Sequence, residues 1–222
     1  MTEFRAMKNL RTPVFMLIAI LAAGAALVGG MYAANTLVSP ATLDDGDLSA
    51  TYLENSREIT DFQLVDHSGE PFDNTSLQGQ WTLMFFGFTH CPDICPMTLA
   101  ELSRVHTMLE DEGMGENVRT VFVTVDPQRD TQERLEAYVT NFRDDFRGIT
   151  GDLDDIDVLA RDMGIAHIRH DDNGDANYMV DHGASVLLVN PEGRFQAMFG
   201  SPHRAPEIAE DLRAIIEFHG SS

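Results

Sequence analysis

Short apolar runs alternate with amphipathic segments along most of the chain, a pattern typical of an α/β domain. The run WTLMFFGF (81–88) is continuously apolar and bounded by turn residues, which predicts a strand buried on both faces, and VRTVFVTV (118–125) predicts a second central strand. Apolar residues at helical spacing predict helices over 96–110 and 205–218. Strands that alternate with helices indicate a three-layer α/β sandwich built on a mixed sheet.

Weaker patterns predict the remaining elements, which are strands at 62–65, 184–190 and 194–199 and helices at 130–142 and 152–163. The segment NPEG (190–193) predicts a hairpin turn, and DTQE (130–133) has the spacing of a capping box at a helix start. The acidic run DDNGD (171–175) lacks the alternate ligands and closing Glu of a calcium loop, so we interpret it as an Asn-Gly hairpin tip.

The segment Val14–Ala34 contains 21 residues and no charged side chain. As a helix it would cover about 30 Å, the thickness of a hydrocarbon core. Bases precede it and acids follow it, so the positive-inside rule predicts a single-pass anchor in a bacterial inner membrane, with residues 1–13 cytoplasmic and the C-terminal domain periplasmic. The alternative is a cleaved signal peptide, although the run is long for one. A linker is predicted at 35–56 and the domain at 57–222.

The composition excludes two classes of protein. A hydrophobic content of 43% is too high for a disordered chain. Fifteen Lys and Arg against 36 Asp and Glu give a net charge of -21, which repels a phosphate backbone, so we expect no binding to nucleic acid.

The two cysteines, Cys91 and Cys95, fall between a predicted buried strand and the start of a helix. Unpaired N–H groups and the positive end of the helix dipole favour the thiolate there. One helical turn separates the two residues, so the sulfurs could share a soft metal ion or form a disulfide. A purely structural disulfide is the weaker interpretation, because closing so short a loop contributes only about 2 kcal/mol.

A metal site needs a further ligand unless it is a linear Cu(I) site, and the chain contains eight histidines. His182, in VDHG (180–183) before an apolar strand, is a plausible third ligand by position. His90 adjoins Cys91 and could tune it instead, and His167 with His170 forms an H-x-x-H pair that is a weak indication of a separate site. Three methionines, Met84, Met97 and Met179, are predicted to lie in or near the core and not to act as thioether ligands.

Three ordered motifs resemble the SCO/SenC family: GFTHCPDICP (87–96), VTVDPQRDT (123–131) and the Asp-His pair 181–182 followed by the NPEG hairpin. The resemblance covers about 62–218. It implies a thioredoxin-like fold and copper held by Cys91, Cys95 and His182. It also implies delivery of copper to the dinuclear centre in subunit II of cytochrome c oxidase. Gly183 departs from the family pattern, in which Ser or Thr commonly follows the histidine.

The donor chemistry agrees with copper, because thiolates select Cu(I), a mixed sulfur and nitrogen set also accepts Cu(II), and structural zinc prefers four protein ligands. The expected partners are subunit II, a copper donor protein, a thiol reductant and the membrane. The alternative function is a thiol–disulfide oxidoreductase that reduces the acceptor's cysteines before metallation. Asp181 either orients His182 or is a solvated turn residue. Asp126 and Asp130 are expected to cap and shape the turn after the second central strand, with contact with a partner as the alternative.

Overall fold

The computed structural model describes residues 14, 16–30, 48–170 and 178–220, and it divides the chain into two units, Met1–Thr42 with Ser222 and Leu43–Ser221. In the first unit, residues 14 and 16–30 are helical and exposed. Among the described residues, no helix combines the length and hydropathy that crossing a membrane requires. The predicted anchor, Val14–Ala34, lies partly outside the described residues.

The second unit follows the predicted alternation of strands and helices. Its strands are β1 (Thr51–Arg57), β2 (Gln63–Asp66), β3 (Pro71–Asp73), β4 (Trp81–Gly87), β5 (Val118–Thr124), β6 (Arg147–Thr150), β7 (His167–Arg169), β8 (Val180–His182), β9 (Val186–Val189) and β10 (Phe195–Phe199). Its helices are α1 (Ile94–Asp111), α2 (Gln132–Val139), α3 (Leu153–Asp162) and α4 (Ala205–Gly220). Short 3₁₀ turns lie at Asn74–Leu77 and Gly115–Asn117.

Eight strands form one mixed sheet in the order β1-β10-β9-β4-β5-β6-β2-β3. Strand β5 is parallel to both β4 and β6, whereas β9 is antiparallel to β4. All seven residues of β4 and all four of β9 are buried, as the continuous apolar sequence predicts. Helices α1 and α4 pack against each other. The mixed sheet with its helices confirms the predicted α/β class and fits a thioredoxin-like fold.

The edge of the sheet differs from the prediction. Strand β1 pairs antiparallel with β10, so the predicted linker, 35–56, overlaps the folded domain. Its sequence, TYLENSR, is mostly polar and its side chains are exposed or partly exposed, because an edge strand needs little apolar surface. The four-residue strand β6 and the three-residue strand β3 were also not predicted, since segments so short carry little periodicity.

Strands β7 and β8 form a separate two-stranded antiparallel sheet, in which His167 is paired with His182. We call this pair, 167–170 with 178–182, the histidine hairpin. Its strands have only three residues each and mixed polarity, so the sequence pattern did not predict them. The predicted hairpin tip at 171–175 lies outside the described residues.

Two parallel strands bring the two longest motifs together. Gly87 at the end of β4 is in register with Thr124 at the end of β5. The carboxyl ends of parallel strands meet at one edge of a sheet, where the connections to the following helices leave it. The cysteine segment, 88–95, therefore lies beside the segment 125–131.

Candidate metal centre

Cys95 lies in the first turn of α1, Cys91 lies just before the helix, and neither cysteine is in a disulfide. Cys95 is fully buried in the first turn, and Cys91 is 9% exposed. The backbone N–H of Cys95 donates to Cys91 Sγ over 3.5 Å. The first N–H groups of a helix have no partner within the helix, so the sulfur of Cys91 meets one of them. This placement is the one that the sequence predicts.

Gly87 makes room for the buried sulfur. A Cβ atom at this position would lie 2.7 Å from Cys95 Sγ and 2.7 Å from a ring carbon of Phe122. Such a separation is well inside van der Waals contact for both neighbours. The end of β4 must therefore be glycine for Cys95 to pack directly against the strand.

His182 at the end of β8 completes the cluster. Its Nε2 lies 3.3 Å from Cys95 Sγ, and its Nδ1 hydrogen-bonds the carbonyl oxygen of Gly183 at 3.0 Å. Because a carbonyl only accepts, Nδ1 carries a proton, and Nε2 is the ring nitrogen that faces the sulfurs. The acceptor is a backbone atom, so glycine at position 183 does not remove this bond.

The structure thus brings together the three residues that the sequence nominates. One ligand atom each from Cys91, Cys95 and His182 lies within 4.8 Å of the others. The imidazole ring packs edge-on against Phe85 at 6.0 Å and Phe88 at 5.9 Å between ring centroids. Two sulfurs and one nitrogen at this spacing can hold a soft metal ion, and the aromatic rings limit the rotation of the imidazole.

The two thiols differ in acidity. The pKa of Cys91 is lowered to about 4, because its sulfur hydrogen-bonds the side chains of Cys95 and His182 and the backbone N–H groups of Cys95 and Asp93, and these bonds outweigh the effect of burial. The same hydrogen bond and burial raise the pKa of Cys95. At neutral pH the metal-free site holds one thiolate and one thiol, so a metal that binds both sulfurs displaces the Cys95 proton.

Asp130 ties the cysteine segment to the end of β5. Its buried carboxylate accepts from the Thr89 backbone N–H at 2.9 Å, from the Thr89 hydroxyl at 2.5 Å and from the Thr124 hydroxyl at 2.7 Å. Asp130 was expected to shape the turn, and it does so. It is not the cap of α2, however, because Thr131 occupies that position and accepts from the Arg134 N–H at 3.3 Å.

The other histidine alternatives lie outside the cluster. His90 is beside the cysteines, but its Nε2 is 2.5 Å from Arg134 and its Nδ1 is 3.8 Å from Asp130. His167 contacts Asp157 at 2.8 Å and His170 contacts Asp181 at 2.8 Å.

These contacts settle two alternatives. The H-x-x-H pair forms no shared site, because its two rings bind different carboxylates. Asp181 pairs with His170 instead of orienting His182, and its side chain is 73% exposed.

The methionines divide between core and surface. Met84 is fully buried in β4, as predicted. Met97 is 58% exposed on α1 and Met179 is 48% exposed beside β8, so the prediction that they lie in or near the core is wrong. The sequence did not predict the exposure of Met97, because an apolar side chain in an amphipathic helix is ordinarily assigned to the buried face.

The chain is similar in sequence to known proteins. The sequence profile of the SCO1/SenC family matches residues 50–217. The chain is 39% identical over 160 residues to the mitochondrial Protein SCO2 homolog of Mus musculus, a match that covers 72% of this chain and 63% of the mouse protein. It is 33% identical over 165 residues to a putative copper-binding protein of Stutzerimonas stutzeri, a match that covers 74% of this chain and 80% of that protein.

A solved structure shows the same relationship. The structure of Bradyrhizobium japonicum ScoI with copper bound has 34% sequence identity and a TM-score of 0.63, and the match covers 71% of this chain and 99% of that one. The motifs, the fold and these relatives lead to one conclusion: this chain belongs to the SCO1/SenC family.

Proposed function

We propose that this protein binds one copper ion through Cys91, Cys95 and His182 and delivers it to the dinuclear copper centre of cytochrome c oxidase subunit II. The observation that carries the proposal is the convergence of the three ligand atoms within 4.8 Å. Thiolate and imidazole ligands suit both Cu(I) and Cu(II). The copper in the structure of Bradyrhizobium japonicum ScoI supports the choice of metal.

The site is suited to transfer because its ligand set is small and lies at the edge of the sheet. Cys95 is fully buried, but 9% of the Cys91 surface is exposed and His182 is partly exposed. A ligand of the acceptor can therefore approach the ion from the side of Cys91 and His182. Three protein ligands leave a coordination position for that incoming group, so copper can move by exchange of one ligand at a time.

The partners and the location follow from the same proposal. The apolar segment Val14–Ala34 anchors the chain in a bacterial inner membrane, and the acidic domain faces the periplasm, where a copper donor protein loads it. A disulfide between Cys91 and Cys95 would occupy both sulfurs, so a thiol reductant must act before copper enters.

The test is metal analysis of the full chain in detergent after reduction and addition of Cu(II). The unmutated protein should bind one copper ion per chain and show thiolate-to-copper charge-transfer absorption. Cys91→Ala, Cys95→Ala and His182→Ala should each lose stoichiometric Cu(II), because two donors are too few to hold it.

The matched control is His170→Ala, which removes an exposed histidine from the same hairpin and should retain the copper and its spectrum. Unchanged Cu(II) affinity and absorption in His182→Ala would show that the three-ligand site is wrong.

One observation favours a second function, the reduction of the acceptor's cysteines. Hydrogen bonds lower the pKa of Cys91 to about 4, which favours the thiolate at neutral pH. The thiol of Cys95 beside it is fully buried. The Cys91 thiolate would attack one sulfur of an acceptor disulfide and release the other as a thiolate. Cys95 would then lose its proton and attack Cys91 Sγ. This step frees the reduced acceptor and leaves a Cys91–Cys95 disulfide, a transfer of two electrons.

His182 distinguishes the two functions, because dithiol exchange needs no imidazole ligand. If His182→Ala reduces the oxidised cysteines of subunit II at the unmutated rate, while it no longer delivers copper, both activities belong to this site. If the reduced, copper-free protein leaves those cysteines oxidised, the second function is excluded.

A further inference from the structure

The backbone alone does not fix His182 beside the cysteines. The histidine hairpin forms its own two-stranded sheet, and none of its described strand residues is paired with the eight-stranded sheet that carries the cysteine segment. Its backbone is joined to the preceding segment by the bond from Gly183 N–H to the carbonyl of Ala166, at 3.0 Å. Only residues 183–185 connect His182 to β9 of the central sheet, and side-chain contacts act with this short connection to set the distance between His182 and the sulfurs.

Tyr178, just before β8, makes such a contact. Its hydroxyl donates to Asp126 Oδ1 over 2.5 Å. Asp126 is fully buried, accepts a second hydrogen bond from Arg129 Nε, and donates its own N–H to the Thr124 hydroxyl at 2.9 Å. Since Thr124 ends β5, this chain of bonds joins the hairpin to the central sheet through a buried charge, where hydrogen bonds are strongest.

A stack of side chains continues from Tyr178 to the ligand itself. The Arg129 guanidinium carbon lies 3.6 Å from the centroid of the Tyr178 ring and 5.7 Å from that of Phe88. Both separations are within the range of cation–π attraction. Phe88 in turn meets the His182 ring at 5.9 Å with an angle of 89° between the planes. The stack therefore has Tyr178 at one end and His182 at the other.

We propose that Tyr178 is a positioning residue for His182. Its bond to Asp126 holds the histidine hairpin against the segment 125–131, so that His182 Nε2 faces Cys95 Sγ before the metal arrives. This inference rests on the copper site of the proposed function. Without the bond, the hairpin samples orientations in which the imidazole is too far from the sulfurs. Apparent affinity falls in proportion to the population that remains competent.

The test is Tyr178→Phe, which removes the hydroxyl and keeps the ring over Arg129. We expect about tenfold weaker Cu(I) binding by the reduced full chain in detergent, measured by competition with a chromophoric Cu(I) chelator. A tenfold change corresponds to about 1.4 kcal/mol, close to the value of one hydrogen bond to a charged group. Tyr52→Phe is the matched control, because Tyr52 lies in β1 and packs against Phe218, and its affinity should not change.

The His182→Ala background separates a positioning role from a general structural one. Cu(I) binds to two thiolates alone, so residual affinity can still be measured there. If Tyr178 acts through His182, adding Tyr178→Phe to His182→Ala leaves that residual affinity unchanged. Amide hydrogen exchange in β7 and β8 of the copper-free protein should also accelerate in Tyr178→Phe, while exchange in β4 and β5 stays the same.

Three results would overturn the inference, and they can be told apart. If the unmutated protein binds no copper, the proposed function fails and this inference fails with it. If the unmutated protein binds copper and Tyr178→Phe binds it equally well, only the inference fails. If Tyr178→Phe weakens Cu(I) equally with and without His182, Tyr178 supports the fold and does not position the ligand.

Discussion

The cysteine segment and the histidine hairpin supply ligands to the same cluster but are built in different ways. The cysteine segment joins the central strand β4 to α1, and the buried Asp130 holds its first residues. Cys95 has no exposed surface. The histidine hairpin has two strands of three residues in a sheet of its own. Its outer ion pair, His170 with Asp181, is largely exposed.

This difference indicates a division of roles between the ligands. The sulfurs are held by a deeply packed part of the domain, so we expect their separation to change little when a metal binds. The imidazole is carried by an element whose attachment depends on a few side chains. A local opening of that element would cost far less than global unfolding. In the proposed transfer, the two cysteines can therefore retain Cu(I) while the histidine leaves and makes room for a ligand of the acceptor.

Asp130→Ala should have the largest effect, because the buried hydroxyl of Thr124 and two partly buried donors of Thr89 lose their acceptor at once. Each unsatisfied buried donor costs about 1–3 kcal/mol, so we expect the free energy of unfolding to fall by about 3 kcal/mol or more. Urea denaturation of the copper-free protein measures it.

The control comes from the other region. Asp181→Ala removes an exposed carboxylate from the histidine hairpin and should change stability by less than about 0.5 kcal/mol. Equal stabilities for the two variants would mean that the cysteine segment is no more firmly held than the hairpin.

Gly87→Ala should have the next largest effect. The added Cβ would lie 2.7 Å from both Cys95 Sγ and the Phe122 ring, so β4 or α1 must shift. Overpacking of this kind costs about 1–3 kcal/mol, and a displaced Cys95 should also weaken copper binding.

Thermal unfolding and Cu(I) competition measure the two consequences. Gly200→Ala is the control, because nothing lies within 4 Å of a Cβ built there. If Gly87→Ala unfolds like Gly200→Ala and binds copper normally, the contact between β4 and Cys95 is looser than the structure indicates.

The same contrast explains how much could be predicted from the sequence. The central strands were predicted because burial on both faces requires uninterrupted apolar residues, and the cysteines because they follow such a strand directly. The bonds that hold the hairpin were not predicted, since Tyr178 and Asp126 are 52 residues apart and their separation follows no local periodicity. His182 was nominated by its position and by the family resemblance, and its contacts with Phe85 and Phe88 became visible only in the fold.

The smallest expected effect is a pH dependence of the unfolding free energy that comes from the buried His106. Burial lowers the pKa of His106, whose Nε2 lies 2.9 Å from the Thr120 hydroxyl beneath α1. The unfolded chain, with a histidine pKa of about 6.5, therefore takes up the proton first as the pH falls. Protonation favours the unfolded state, so the contribution of His106 to stability is lost below about pH 6.5 and is fully present above it.

His106→Gln removes this proton uptake and should flatten the fall in unfolding free energy between pH 7 and pH 5, by at most about 1.4 kcal/mol per pH unit. Urea denaturation at several pH values measures the slope. Ile168→Gln is the control in the histidine hairpin, where the side chain is 61% exposed and carries no titratable group, so the slope should not change. An equally flattened slope in Ile168→Gln would mean that the change does not come from the loss of the His106 imidazole.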